Sequence, residues 1–521
     1  MLNFGNRKWW ALGALTLAVL AVGLDGTVLS VALPTLATAL HASESDLQWF
    51  SSGYLLVLAA AMLPAGLLGD RFGRKKVMLI ALSLFGVGSA ACAYAPSAGA
   101  FIAARVLLGL AGSGVIVMAL SALTVLFTRE ERPRAVGIWA AANFLALPLG
   151  PILGGWLLTN YWWGWVFLLN VPVALVGLTA AFALVLESRS PLRPKLDTVG
   201  IVASTAGLVG VTYGLIEAGR NGWTDISALL PIIAGLLVLV GFFLWERRLS
   251  LLPGGQPLVD LALFRSAAFT WGVILAAIAA LAMIGVLFTM PQFFQGVQGA
   301  DAMGSGLRLL PLIAGLIVGA VPADRVAHLV GAKLTVALGF VLLAAGLLLG
   351  ATTGVGSSGA FIAAWMALVG AGMGFAMATA TSAALSELSQ ERSGVGSAVM
   401  QALQKLGGPF GSAILGSVLS SAYQAQLNLA GLPSTAANVV KESLFAGLAV
   451  AQQLGSPQLL ASVRAAFVQG MDISLVVAAG IAAAGLVLTL IFLPGRTVSK
   501  AGGAEQVEAS PARRPAGTTS S

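Results

Sequence analysis

The sequence predicts an all-α integral membrane protein made of two six-helix bundles with two inserted helices between them. Of its 521 residues, 58% are hydrophobic and 9% are charged, which is too little charge to cover a soluble chain of this length. The apolar residues form stretches of about 20, the length that crosses a bilayer as a helix. Motifs of the first half also recur in the second half.

Fourteen apolar segments are long enough to span a membrane. Continuous apolar runs with short links favour a helical bundle over a barrel, because a helix satisfies its backbone hydrogen bonds internally. The predicted spans are residues 9–36, 48–69, 76–95, 101–126, 134–158, 164–186, 198–218, 227–245, 267–290, 304–322, 333–351, 359–384, 394–421 and 472–494.

An acidic residue, Asp25, lies inside the first predicted span, in the run LDGTVLSVALP. A charge at membrane depth costs roughly 2.5–3.5 kcal/mol on insertion scales and usually has a functional role. Such a carboxyl group is suited to exchanging a proton. The alternative is that Asp25 caps a break in the helix, since Gly26 and Pro34 follow.

The positive charges are distributed unevenly between the two membrane faces. With the N-terminus inside, 22 Lys and Arg residues fall on the cytoplasmic side, three fall outside, and Arg105, Arg308 and Lys405 lie within helices, making 28. This distribution predicts a multi-pass protein of the cell membrane with both termini cytoplasmic. The net charge of +8 therefore serves topology and contact with anionic lipid, and we expect no nucleic-acid partner.

Metal and enzyme chemistry find no support in the sequence. The single cysteine, Cys92, excludes an intrachain disulfide and a cysteine metal site, and the two histidines fall in separate loops. We expect no metal, no cofactor and no enzymatic activity.

The chain repeats three motifs in order at nearly one offset, 254 to 260 residues. Parallel six-helix halves with a substrate site between them are one of the known transporter architectures. The alternative is chance similarity between apolar segments. The matching pairs are FIAA at 101–104 and 361–364, Gly150–Pro151 and Gly408–Pro409, and Asp70–Arg71 and Asp324–Arg325.

These motifs predict four regions. The loop before the last span carries apolar residues at helical spacing, which indicates an amphipathic helical hairpin that covers or gates the outer mouth. The regions are a first bundle at 1–190, two inserted helices at 191–250, a second bundle at 251–495 with the outer hairpin at about 422–471, and a disordered cytoplasmic tail at 496–521.

A glycine-rich basic segment, GLLGDRFGRKK, joins the second and third predicted spans. Its glycines allow close helix contact and a tight turn, its acid can pair with a cation or cap a helix, and its basic residues hold the loop inside. It resembles the G-x-L-a-D-r-x-G-r-K loop of the major facilitator superfamily. The resemblance implies that Asp70 helps to lock an outward-facing state. The candidate conformational residues are Gly66, Asp70, Arg71, Gly73 and Arg74, with Asp324 and Arg325 in the second half.

The fifth predicted span contains LALPLGPILGGWL, with the candidate conformational residues Gly150, Pro151, Gly154 and Gly155. The proline bends the helix, and the glycines let a neighbour approach closely. The stretch is similar to the antiporter motif G-x-x-x-G-P-x-x-G-G, which in that superfamily implies export. Ala146 replaces the first glycine of the motif.

The first span is similar to the L-D-x-T-V-x-N-V-A-L-P signature of the fourteen-helix drug/proton antiporter family, with Ser30 in place of Asn. That resemblance implies that Asp25 takes up a proton, binds a cationic drug, or alternates between the two. In the fourth span, Arg105 begins the R-x-x-x-G pattern of ARVLLGLAGSG, and the family resemblance implies a role for this arginine in proton transfer. The alternative for Arg105 is a structural ion pair or a snorkelling side chain.

Together these features predict a proton-coupled antiporter that exports amphipathic drugs or antibiotics by alternating access. The alternative is a dedicated exporter, or a proton-coupled importer, of one small metabolite. The expected partners are the drug, the proton as coupling ion and membrane lipid, and we expect a monomer. Lys405 argues against export of dications. Besides Asp25, the candidate substrate contacts are Asn143, Phe144, Gln401 and Gln404, and Trp139 and Phe288 are candidate cavity walls.

Overall fold

A computed structural model describes residues 4–128, 131–189, 197–252, 255, 257–386 and 393–494. The side chains of 4–7, 124–125, 132–134, 136–137, 140–144 and 393–398 are outside this description. The described residues form helices and no strand. Twelve of these helices are long and apolar enough to cross a membrane. The predicted tail, 496–521, lies outside the described residues.

The first bundle is formed by consecutive helices that enclose one hydrophobic core. The fourth helix packs against the second and third, and the first packs against the fifth and seventh. Its helices are α1 (Phe4–Ala39), α2 (Glu44–Phe72), α3 (Arg74–Ala93), α4 (Ala98–Leu126), α5 (Arg132–Asn160), the short α6 (Trp165–Leu168) and α7 (Asn170–Leu184).

The second bundle encloses a separate core and repeats this packing. A 3-10 turn (Leu261–Arg265) precedes it, and a π-helical segment (Phe293–Val297) extends its first helix. Its helices are α10 (Ala267–Gln292), α11 (Ala302–Arg308), α12 (Leu310–Val330), α13 (Ala332–Gly350), α14 (Gly359–Ser386), α15 (Ser393–Gln426), the short α16 (Ser434–Glu442) and α17 (Leu444–Gln453), and α18 (Pro457–Phe492).

Two helices connect the bundles, α8 (Thr198–Asn221) and α9 (Ile226–Leu251). They pack against each other, and α8 also contacts α2 and α15 at the junction of the two bundles. Ser417 of α15 donates a 2.5 Å hydrogen bond to the carbonyl oxygen of Leu215. The inserted pair is therefore attached to both bundles along one side of their interface.

The long α1 begins at one face of the molecule and α18 ends there, so we call this the terminal face and the other the opposite face. Polar caps and glycines mark the helix ends at both faces. At the start of α2, Ser43 and Asp46 exchange hydrogen bonds with each other's backbone nitrogens, at 3.3 and 3.0 Å.

Lys8 and Glu131 form an ion pair at 2.6 Å near the terminal face. Hydrogen bonds from Lys8 hold the pKa of Glu131 below its ordinary value.

The repeated glycines have the same packing role in both bundles. A methyl group at Gly109 of α4 would meet the backbone of α2, and one at Gly370 of α14 would meet the backbone of α12. A methyl group on Gly114 would meet α3, and one on Gly372 would meet α13. In each bundle the glycines let the fourth helix lie directly against two neighbours, as small residues do in membrane helices.

Several predicted boundaries were wrong at the ends. The predicted eighth span stops at residue 245, whereas α9 continues to Leu251. The predicted tenth span stops at residue 322, whereas α12 extends to Val330, so Asp324 and Arg325 lie inside the helix rather than at its end. The helix break that was the alternative interpretation of Asp25 is absent, and α1 is continuous through this residue.

The predicted outer hairpin was partly wrong. Val440 and Leu444 are buried in the short helices α16 and α17, as the pattern indicated. The second arm, however, is no separate helix. Residues from Pro457 onward belong to α18, which runs 36 residues without interruption. Val463 and Phe467 are buried because α18 packs on α17 and α15.

Candidate functional site

A cavity of about 390 Å³ lies between the two bundles. Its walls come from α1, α2, α4 and α5 on one side and from α10, α12, α14 and α15 on the other. Most of the lining is apolar. The polar lining residues are Thr27, Tyr54, Thr381, Gln404 and Lys405. A largely apolar site with few polar groups is typical of a site for small amphipathic molecules.

Hydrogen bonds join the bundles on the opposite-face side of this cavity. The Ser52 and Ser412 hydroxyl oxygens are 2.7 Å apart between α2 and α15. The side-chain amide of Gln295 donates to the carbonyl oxygen of Val31 at 3.0 Å. The buried Glu44 accepts a 3.4 Å hydrogen bond from Gln292 at the same end. These contacts close the interface toward the opposite face.

The glycines of α5 form a second part of this closure. A methyl group at Gly154 would lie 2.9 Å from the Val28 side chain of α1. One at Gly155 would lie 2.8 Å from the carbonyl oxygen of Ala302, in the second bundle. Gly306 of α11 lies directly against the backbone of Pro151. The motif therefore places the backbones of α5 and α11 in contact across the interface.

Gly150 packs against α1 within the first bundle. A methyl group there would overlap the Thr27 side chain. The Thr27 hydroxyl donates a 2.9 Å hydrogen bond to the carbonyl oxygen of Ala146. Ala146 stands where the first motif glycine is usual, so this bond joins α1 to α5 at the substituted position.

Asp25 and Arg105 form a buried ion pair in the first bundle. Their side chains are 1% and 0% exposed, and a carboxylate oxygen of Asp25 accepts from Nη1 of Arg105. Asn170 of α7 donates to the other oxygen at 3.2 Å. Nε of Arg105 donates to the carbonyl oxygen of Phe50 at 3.1 Å, while its Nη2 has no hydrogen-bond partner among the described residues. The Asp25 carboxylate of α1 is therefore contacted by side chains from both α4 and α7.

Tyr54 separates this ion pair from the cavity. The Tyr54 ring lines the cavity wall, and the Arg105 guanidinium lies 4.2 Å from its centroid. Its hydroxyl donates to the carbonyl oxygen of Val22 at 2.9 Å. Asp25 does not line the cavity, although its neighbours Gly26 and Thr27 do. The acid thus lies one side chain behind the wall.

The other candidate substrate contacts differ in position. Gln404 lines the cavity and donates to the Thr381 hydroxyl at 2.9 Å. Gln401 is half-buried and does not line the cavity. Phe288 is 1% exposed within the core of the first bundle, and Trp139 is also buried, so both predicted wall residues were wrong. The side chains of Asn143 and Phe144 lie outside the described residues.

Sequence reasoning missed Tyr54 and Asn170. Asn170 carries the same signal that selected Asn143, an amide within an apolar span, and that signal could have found it. Tyr54 is the one tyrosine of the second span, and its sequence neighbours give no indication that it contacts Arg105. That contact depends on how α2 is rotated against α4.

The basic loop after α2 folds as a tight turn. Asp70 accepts hydrogen bonds from Nε and Nη2 of Arg74 at 3.0 and 2.9 Å, which confirms the predicted pairing with a cation. Gly73 has a φ of 116°. Gly69 lies against Met118, as expected for close packing, whereas Gly66 makes only ordinary contact with Val117 at 3.6 Å. Arg71 is exposed beside Phe72.

The corresponding pair in the second bundle has a different environment. Asp324 is exposed and lies 3.6 Å from Nε2 of His328. Arg325 is also largely outside the core. In both halves a single positive-φ glycine forms the turn to the next helix. In the second half, however, α12 continues to Val330 before its turn at Gly331, where φ is 91°, so Asp324 and Arg325 lie further from the turn.

Gly73→Ala is expected to lower the free energy of unfolding by about 1–3 kcal/mol, the usual cost of a non-glycine residue in a sparsely populated backbone region. A methyl group there would also lie 2.6 Å from the Glu187 carboxylate. Thermal unfolding of the detergent-solubilised protein measures the loss.

Gly222→Ala is the matched control, since Gly222 has a φ of 102° and nothing within 4 Å of the added methyl group. We expect a smaller loss in that variant. We also expect the stability loss of the double variant Gly73→Ala, Glu187→Ala to be close to that of Gly222→Ala. Equal losses at Gly73 and Gly222 would contradict a steric role for Glu187.

Two helical bundles around a shared cavity, closed at one face and with a buried ion pair beside the wall, define a multi-pass membrane transporter. The chain belongs to the Major Facilitator Superfamily, whose sequence family matches residues 15–412.

Two similar proteins in this superfamily are named as an export protein and an efflux pump. The tetracenomycin C resistance and export protein of Streptomyces glaucescens is 35% identical over 417 residues, covering 80% of this chain and 77% of the relative. The multidrug efflux pump LfrA of Mycolicibacterium smegmatis is 33% identical over 484 residues, covering 91% and 94%. The fold is similar to that of a bacterial homologue of the human lysosomal transporter Spinster, with a TM-score of 0.66, 17% identity, and coverage of 94% and 98%.

Proposed function

We propose that this protein is a proton-coupled antiporter that exports amphipathic drugs or antibiotics across the cell membrane. The names of its relatives support drug efflux. The observation that carries proton coupling is the buried Asp25–Arg105 pair, one side chain behind the cavity wall. A carboxyl group that can be charged or neutral beside a fixed guanidinium gives the transporter two electrostatic states.

The proposed topology has fourteen spans, with α5 and α15 added to the twelve that meet the length and apolarity criteria. The helix order supports boundaries near 1–190, 191–250 and 251–495 for the three membrane regions. We assign the terminal face to the cytoplasm, as the positive-inside rule requires. The cavity is then closed toward the outside, and this is an inward-facing conformation.

In the proposed cycle, the substrate enters the cavity from the cytoplasm while Asp25 is charged and paired with Arg105. Rocking of the bundles opens the outer face, and protonation of Asp25 from outside removes the attraction that holds α1 to α4. Substrate release and return to the inward-facing state follow. There Asp25 releases its proton to the cytoplasm and pairs with Arg105 again, which readies the cavity for the next substrate. Asp70, Arg74 and the α5 glycines act on this conformational equilibrium rather than on substrate.

Everted membrane vesicles test this function. In these vesicles the lumen corresponds to the outside, so an acidic lumen is expected to drive accumulation of an exported compound. Addition of the compound should in turn accelerate loss of the pH gradient. Vesicles without the protein, and vesicles treated with a protonophore, are the controls.

The alternatives give different results in the same assay. A proton-coupled importer would move compound and protons in the same direction, which would contradict antiport. A dedicated exporter would accept one compound from a panel of cationic, neutral and anionic substrates. Chemical conversion of a compound, instead of movement of the intact molecule, would contradict the assignment as a transporter.

A further inference from the structure

We propose that the central cavity binds a negatively charged amphipathic substrate and that Lys405 is the residue that recognises its charge. The proposal deepens the function above by naming the substrate class, and it rests on that function for the claim that the bound compound is exported. Lys405 is the one charged side chain among the described residues that line the cavity.

Lys405 lies deep in the membrane region. It is twelve residues after Ser393, the first residue of α15, which corresponds to about 18 Å along a helix axis. Its side chain is exposed to the cavity rather than packed into a core. A cation at this depth is expensive and is found where it faces water, a partner or a substrate path.

No described residue neutralises Lys405. It makes no ion pair or hydrogen bond within the described part of the chain. Asp25, the acid nearest the middle of the first bundle, is already paired with Arg105 and accepts a hydrogen bond from Asn170. The described acids on the helices packed against α15 lie toward the two faces. Glu44, Asp46, Glu217 and Asp472 lie toward the opposite face, and Asp70 lies at the terminal-face end of α2, where it pairs with Arg74.

The surroundings of Lys405 suit an acidic group attached to a flat apolar body. Gln404 donates to the Thr381 hydroxyl oxygen, which leaves the hydroxyl hydrogen of Thr381 available as a second donor. Met283, Met377 and Leu316 line the walls, and flexible methionines adapt to apolar rings. An ammonium group and a carboxylate, phenolate or sulfonate form a charge-assisted hydrogen bond, which is strong where water is scarce.

The test compares two fluorescent ligands that share one aromatic skeleton. Anilinonaphthalene sulfonate carries a negative charge, and N-phenyl-naphthylamine is the same skeleton without the sulfonate. Their dissociation constants are measured for the purified full-length protein in lipid nanodiscs, with the signal of empty nanodiscs subtracted. Lys405→Met is expected to weaken sulfonate binding at least about tenfold, since a hydrogen bond to a charged group contributes about 1.5–3 kcal/mol.

Three controls accompany this variant. N-phenyl-naphthylamine should bind Lys405→Met as it binds the wild type, which also shows that the cavity is still folded. Lys405→Arg keeps the charge and should retain sulfonate binding. Lys441→Met removes one positive charge from the exposed face of α16, away from the cavity, and should leave both ligands unaffected.

The outcomes separate this inference from the proposed function. Equal losses for both ligands in Lys405→Met, or no loss for the sulfonate, would overturn the role of Lys405. A wild type that binds neither ligand above the empty nanodiscs would overturn it as well. Charge-selective binding without proton-driven transport in everted vesicles would support the role of Lys405 and contradict the antiporter.

Discussion

Asp25→Asn is expected to abolish proton movement driven by drug export while leaving folded protein in the membrane. Asparagine has the shape of a protonated aspartate and cannot be charged, so the variant should be held in one electrostatic state. Its amide oxygen can still accept from Arg105, and its neighbour Asn170 remains in place. Proton release from everted vesicles on addition of a transported compound measures the effect.

The stability of this variant is part of the prediction. Removing one partner of a buried pair costs about 3–5 kcal/mol because the other charge stays buried and unpaired. Asp25→Asn should lose less than Asp25→Ala, since the alanine leaves Arg105 without an acceptor at that position. Thermal unfolding of the two variants orders these losses.

Asp472→Asn is the matched control for the loss of a membrane acid. Asp472 lies in α18, is half-buried, and takes no part in the ion pair. It should keep proton-coupled transport. Transport that still depends on the pH gradient in Asp25→Asn would exclude Asp25 as the sole proton carrier.

Arg105→Ala should also uncouple transport from the proton gradient. Wild-type coupling in that variant would show that Arg105 has only a structural role.

Gly155→Ala and Gly306→Ala are expected to open the closed opposite face and to shift the protein away from the proposed inward-facing state. Each added methyl group would press against the backbone of the other bundle, at Ala302 or at Pro151. Overpacking of this kind costs about 1–3 kcal/mol. Because the contact exists only while this face is closed, that cost should change the ratio of the two states about 5- to 150-fold.

Accessibility of a cysteine placed at Ser412 measures this shift. The single native cysteine, Cys92, is buried and is replaced by serine, so that the introduced thiol alone reacts with a membrane-impermeant maleimide. Labelling from the opposite face should rise in both glycine variants. Gly480→Ala is the control, because nothing lies within 4 Å of its added methyl group. Unchanged labelling in Gly155→Ala would show that the α5–α11 contact does not hold this face closed.

The sequence identified the two members of the ion pair but not their geometry. Asp25 and Arg105 were selected because a charge in an apolar span is costly, and this argument needs only the local composition. Asn170 and Tyr54, which complete the arrangement, are compatible with many positions in a membrane helix. Their contacts arise from the rotation of α2 and α7 about their axes.

The last span shows a different limit. Residues from Pro457 to Phe467 are amphipathic, and the apolar run begins later, so the pattern predicted a short helix followed by a separate span. Both stretches are helical, and Gly470 between them does not interrupt the helix. A change of environment along one helix therefore looked like a boundary between two.

By itself, the sequence determined the membrane class, most of the helices, the repeated halves, and which polar side chains lie at membrane depth. These follow from the cost of placing backbone and charge in a lipid environment, which depends on residues close together in the chain. Only the tertiary structure decided that the acid lies behind a tyrosine, that the lysine faces the cavity, and that one face is closed. Those features depend on how helices far apart in sequence rotate and pack against one another.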